Sequence, residues 1–262
     1  MSIEILGKFY DVNLLEFSLC YREIKEMPNN LNNLVNLKKL SLGQNKIREI
    51  PESFCNNLIN LQELYLNENQ IKEIPNYLNK LVNLQKLGFY SNQIKEIPDS
   101  FGNFVNLRHM CFTCNMIKKI PDSFSNLVNL QELWLCGNKI KEIPDNLSNL
   151  VNLIELDLSY NKIKKLPYNL GSLICLKKLN LYRNEIDNIP LSIINLINLR
   201  NFDYGENPIE NISPIVQRFL NKINNRGGNI HNVYNNGQNV HTSSIQQSVK
   251  ESIMKILSLN VY

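Results

Sequence analysis

A strict 23-residue period constrains this chain more than any other feature. "LQELYLNENQIKEIP" (61–75), "LQKLGFYSNQIKEIP" (84–98), "LRHMCFTCNMIKKIP" (107–121) and "LQELWLCGNKIKEIP" (130–144) superpose without a gap. Nine units begin at Leu14, Leu37, Leu61, Leu84, Leu107, Leu130, Leu153, Leu176 and Leu199 and run to Ser213, with one extra residue around Asn56 or Asn57. A unit this short cannot bury an apolar face alone, so the units must stack and share one core.

The pattern L-x-x-L-x-L-x-x-N-x-I-x-x-I-P-x-x-[LF]-x-x-[LF]-[VI]-N assigns a physical task to each position. Its L-x-L centre alternates at period two, which predicts a strand with Leu64 and Leu66 inward and Glu63 and Tyr65 outward. Parallel stacking about 4.8 Å apart then makes one sheet. Where the chain turns off that sheet, a side-chain amide with both donor and acceptor can satisfy the stranded backbone groups. Asn45, Asn69, Asn92, Asn115, Asn138, Asn161, Asn184 and Asn207 form that ladder. Proline at the next corner (28, 51, 75, 98, 121, 144, 167 and 190) opens a short helical turn. Phe54, Leu78, Phe101, Phe124 and Leu147 close the core behind it. The expected fold class is an α/β solenoid, with a parallel sheet on one side and short helical turns and extended segments on the other.

On these motifs the chain resembles the leucine-rich repeat family, in its short 23-residue "I-x-x-I-P" type, over residues 14–213, about three-quarters of its length. That type is similar to intracellular Ras-group and Ras-suppressor-like scaffolds. The resemblance implies a curved array that binds proteins on its concave sheet, and implies no particular partner.

The ends depart from the pattern as capping units should. Arg22 replaces the ladder Asn and Met27 the usual Ile; Tyr204, Pro208 and Ser213 replace their counterparts in the last unit. Residues 1–13 are expected to cover the first strand's edge and 214–226 to form a capping helix. An Asn/Gly-rich linker is expected over 227–242 and an amphipathic tail helix over 243–262, with Ile245, Val249, Ile253, Ile256 and Leu257 on one stripe. No stretch approaches the roughly 18 apolar residues of a membrane span, and Glu4 and Asp11 break any signal-peptide pattern, so a cytoplasmic location is expected. The 44 asparagines and the lack of alanine carry little functional information.

His109, Cys111 and Cys114 fall within six positions, as a metal or redox site would. In repeat register, however, His109 and Cys111 face outward from one strand, and Cys114 lies past its end. Zinc needs converging ligands, and Cys136 on the next strand is displaced by two positions. The six cysteines are read as thiols in a reducing compartment. No cofactor, metal or catalytic residue is expected, and the chain is read as no enzyme.

Outward positions along the sheet hold Tyr65, Tyr90, His109, Trp134, Asp157 and Tyr182. These are the candidate protein-binding residues, with Trp134 as an exposed aromatic anchor. Lys25, Arg48, Lys72, Lys95, Lys118, Lys141 and Lys164 stack beside Glu26, Glu49, Glu73, Glu96 and Glu142, which predicts a ladder of cross-repeat ion pairs. Residues 1–213 carry 23 basic and 23 acidic side chains; without net positive potential, no nucleic-acid binding is expected. The function expected is a monomeric, non-catalytic signalling scaffold for an unidentified protein partner. An adaptor subunit of a ubiquitin ligase or phosphatase complex, with the tail as connector, stands as the alternative.

Overall fold

The computed structural model describes residues 2–231. Nine repeat strands lie parallel in one sheet: β3 (Glu16–Ser18), β4 (Lys39–Ser41), β5 (Glu63–Tyr65), β6 (Lys86–Gly88), β7 (His109–Cys111), β8 (Glu132–Trp134), β9 (Glu155–Asp157), β10 (Lys178–Asn180) and β11 (Asn201–Asp203). Neighbours pair without slippage, so Leu64 faces Leu87, which faces Met110, and so on along the array. The α/β solenoid fold class is therefore borne out.

Each corner proline stands just before a one-turn 3-10 helix in most repeats, and its carbonyl accepts the N–H three residues on, as in Leu78 to Pro75 and Phe101 to Pro98. The unit with the extra residue makes α1 (Glu52–Cys55) instead, and buries Cys55 completely. These turns are wider than the strands opposite them, which makes the sheet the concave side. Between the layers the repeat leucines and isoleucines are almost wholly buried. Phe89 and Phe112 stack at 5.3 Å, with Phe101 tilted against Phe112, filling the middle of the core.

The ladder asparagines bond in all directions. Asn138 Nδ2 donates to the carbonyls of Phe112 (3.0 Å), Leu135 (3.0 Å) and Cys136 (3.4 Å), and its Oδ1 accepts the Ile117 N–H at 3.0 Å. The residue before each ladder position has a positive φ, from Tyr21 (59°) through Cys114 (56°) to Glu206 (54°), and only Gly137 there is glycine. A left-handed non-glycine residue costs about 1–2 kcal/mol, which the amide's bonds to the bend offset. A second ladder runs along the other edge: Asn60, Asn83, Asn106, Asn129, Asn152 and Asn198 each donate to the Val or Ile carbonyl one repeat earlier.

At the N-terminus β1 (Ser2–Ile5) and β2 (Lys8–Asp11) form a separate antiparallel hairpin. Where the sequence predicts a cover for the first strand's edge, the hairpin makes no ladder with β3 and lies on the open end of the core, with Ile5 buried and Tyr10 edge-on to Phe17 at 4.7 Å. At the other end Ser213, where a corner proline is missing, accepts the Val216 N–H and caps α2 (Pro214–Asn225). Val216, Leu220 and Ile223 of α2 close the core. Part of the expected linker is in fact β12 (Asn229–His231), a tenth strand parallel to β11. The tail helix expected over 243–262 lies outside the described residues.

Candidate functional site

Strand register puts three outward columns on the concave face. The middle one reads Ser41, Tyr65, Gly88, Cys111, Trp134, Asp157, Asn180 and Asp203. The sequence predicts solvent-exposed aromatics here, and the structure corrects that. Trp134 is only 3% exposed and Tyr65 4%. Side chains stacked about 4.8 Å apart cover one another. Trp134 packs on Cys111 with Tyr90 beside it, and its Nε1 donates to Glu155 Oε1 at 3.3 Å. Tyr65 donates its hydroxyl to Glu63 Oε2 at 3.1 Å. Its ring leans over Gly88, where an added Cβ would meet Tyr65 Cδ1 at 3.0 Å and Asn67 Oδ1 at 2.7 Å. Glycine leaves a dimple there, lined by Tyr65, Gly88, Cys111 and Trp134 with Lys86 and His109 at its rim.

Asp157 is buried as well, contrary to expectation. It accepts the Ser159 N–H (2.9 Å) and hydroxyl (2.6 Å) and the Asn180 amide (3.3 Å). Burial nevertheless pushes its carboxyl up to about 6. Tyr90, His109 and Tyr182 remain half-buried and within a partner's reach. Tyr182 meets Tyr160 edge-on at 5.4 Å, and Arg183 lies 5.6 Å over the Tyr160 ring.

Of the column at the strand starts, Glu16, Lys39, Glu63, Lys86, His109, Glu132, Glu155 and Lys178, the sequence singles out His109 as a candidate contact and Glu63 as outward, and the other members only become apparent in the structure. This column holds the sheet's ion pairs: Glu63 to Lys86 at 2.8 Å and to Lys39 at 3.9 Å, and Glu155 to Lys178 at 3.3 Å. His109 Nδ1 sits 3.1 Å from Glu132 Oε2, an ion pair when the imidazole is protonated, without hydrogen-bond alignment. The signal was available, since these residues stand two before the middle column and so share its face. By contrast, the predicted ladder along the Lys25–Lys164 column is reduced to one long pair: Lys164 reaches Glu185 of the next repeat at 3.9 Å, while among the described residues no ion pair links Lys72, Lys95 or Lys141 to Glu73, Glu96 or Glu142. Splayed into water on the outer turn, those chains gain too little to fix one geometry.

Cys111, Cys114 and Cys136 gather near Tyr90, and burial raises all three thiols, Cys111 to about 12. They are protonated at neutral pH, and a thiol is a poor nucleophile. Among the described residues no three His, Cys, Asp or Glu side chains converge as a metal site.

The leucine-rich repeat region description matches residues 54–160, and the leucine rich repeat description matches 36–57 and 152–173. An LRR protein of Leptospira interrogans is similar in structure, with 33% identity, a TM-score of 0.74, and 81% of this chain and 54% of that one covered. A plant peptide hormone receptor, RGFR1 in complex with RGF2, shares 32% identity over 72% of this chain and 31% of that one, with a TM-score of 0.65. The Arabidopsis receptor kinase HAESA, in complex with the peptide hormone IDA and the co-receptor SERK1, shares 30% over 73% and 32%, at 0.64. This chain thus spans about half of the first and about a third of the receptors. No curated protein matches it.

Proposed function

Because the chain belongs to the leucine-rich repeat family, we propose that it is a non-catalytic scaffold that seats a protein segment on its concave sheet. The observation that carries this reading is the state of the concave aromatics. Trp134 and Tyr65 are held down by the carboxylates of Glu155 and Glu63. A partner therefore meets a surface that needs little ordering, which lowers the cost of association. Half-buried Tyr90, His109 and Tyr182 border that floor and supply contacts with few rotamers to freeze. The peptide hormones named with the two plant receptors support a peptide segment as the ligand. All six cysteines are free thiols, which supports a reducing, cytoplasmic setting, and the short repeat type supports a signalling scaffold.

Peptides selected by display against the full chain test this. Tyr90→Ala, His109→Ala or Tyr182→Ala should each weaken their binding, at least one of them by about tenfold or more. Selected peptides that bind all three variants as well as the parent would place the site elsewhere.

A further inference from the structure

The edge of the solenoid where the strands begin carries an unbroken apolar row that neither the core nor the concave site uses. Val35, Ile59, Val82, Val105, Val128, Val151, Ile174 and Ile197 contribute one residue per repeat, each 42–71% exposed. In-register pairing of the strands that follow aligns them along one margin. A continuous exposed apolar strip on a soluble chain marks an interaction surface.

Charge says what kind. The eight seven-residue segments that build this margin, 32–38 through 194–200, contain Lys38, Lys80, Arg108, Lys177 and Arg200 and not one Asp or Glu. Lys80 is paired with Glu52 on the adjoining turn; Lys38, Arg108, Lys177 and Arg200 are exposed beside the apolar row. Summed over the rest of residues 1–213, acids outnumber bases. The backbone is prepared as well. The carbonyls of Val35, Ile59, Val82, Val105, Val128 and Ile174 already accept an asparagine amide from the next repeat. Taking this margin out of water therefore strands few acceptors.

We propose that this margin is a docking edge for an anionic lipid bilayer, lying flat on the headgroups with its β-branched row at the acyl boundary and its lysines and arginines on the lipid charge. A second copy of the same edge, or the basic segment 243–257 with Lys250 and Lys255, brings charge of the same sign and is disfavoured. Such binding is the sum of apolar insertion and attraction to acidic lipids.

The test is co-sedimentation of the full chain with phosphatidylcholine vesicles, with and without about 30% phosphatidylserine, a composition in the anionic range of cytoplasmic leaflets. Binding is expected only to the acidic vesicles and should fall with added salt. Arg108→Glu with Lys177→Glu should weaken it about tenfold or more, and Val105→Ser with Val128→Ser should weaken it too. Lys72→Glu with Lys95→Glu, on the opposite margin, should leave it unchanged. Circular dichroism and peptide binding at the concave face report whether each variant is folded. No binding to acidic vesicles, or equal binding by the folded edge variants, overturns the proposal; the second result would assign the membrane contact to another part of the chain. A folded wild type that captures only an acidic protein, and no vesicle, overturns it equally.

Discussion

Asn138 and Asn129 are both ladder asparagines, but they carry different loads. The Asn138 side chain satisfies three carbonyls and one N–H inside the bend, where water cannot replace it. Asn129 makes one bond, to the Val105 carbonyl, at the exposed margin. An unsatisfied buried group costs about 1–3 kcal/mol. Asn138→Ala should therefore lower the urea unfolding free energy by about 3 kcal/mol, and Asn129→Ala by less than about 1 kcal/mol. Asp157 makes a second residue-scale prediction. Its carboxyl titrates at about 6 in the fold, against about 3.9 in an unfolded chain. The folded state thus holds the proton more tightly. Its stabilisation is complete below about pH 4 and is lost as pH rises through about 6. Asp157→Asn should remove that part of the pH dependence. At pH 7 relief of the buried charge is worth about 2–3 kcal/mol, of which part is lost because the Asn180 oxygen that would have to face the new amide already accepts the Tyr182 N–H. A stability curve of the variant parallel to the parent's between pH 4 and pH 7 would refute the assignment.

At the scale of elements, the strands on the concave side behave as a second, thin packing layer. An outward Trp134 should cost the fold nothing on removal; a Trp134 buried over Cys111 and Tyr90 should cost about 3 kcal/mol. Thermal unfolding of Trp134→Ala decides between the two, and it also means that lost binding in this variant is not evidence of contact. The terminal hairpin is the other element with a distinct role. Ile5 sits at the end of a stacked core in which each repeat touches only its neighbours. Ile5→Ala should speed amide hydrogen exchange in β3 and β4 and leave β8 to β11 unchanged, because a lost cap frays the array locally. Uniform acceleration along the whole sheet would show that the solenoid unfolds as one cooperative unit.

For the molecule as a whole, charge is sorted by face rather than by sum. Alternating pairs line the strand starts on the concave sheet, exposed lysines and glutamates with few ion pairs fringe the outer turn, and the segments of the Val/Ile margin hold only cations. Each exposed pair contributes little, so raising salt to about 0.5 M should change folding stability by less than about 1 kcal/mol. Vesicle binding through the cationic margin should fall over the same range.

Periodicity alone determined the repeat boundaries, the inward leucines, the asparagine ladder and the corner prolines, because in a stack each position meets the same neighbours in every repeat. One unit's physics is then copied along the chain. Tertiary structure alone decided how far the outward side chains are covered. Trp134, Tyr65 and Asp157 face away from the core, yet side chains in adjacent columns and strands bury them. Period-two alternation records direction and carries nothing about cover. The same holds at the ends, where the repeat stops: a hairpin plugs the first core layer, and Asn229–His231, which reads as linker, adds a tenth strand. Those placements depend on contacts between residues that no local pattern connects.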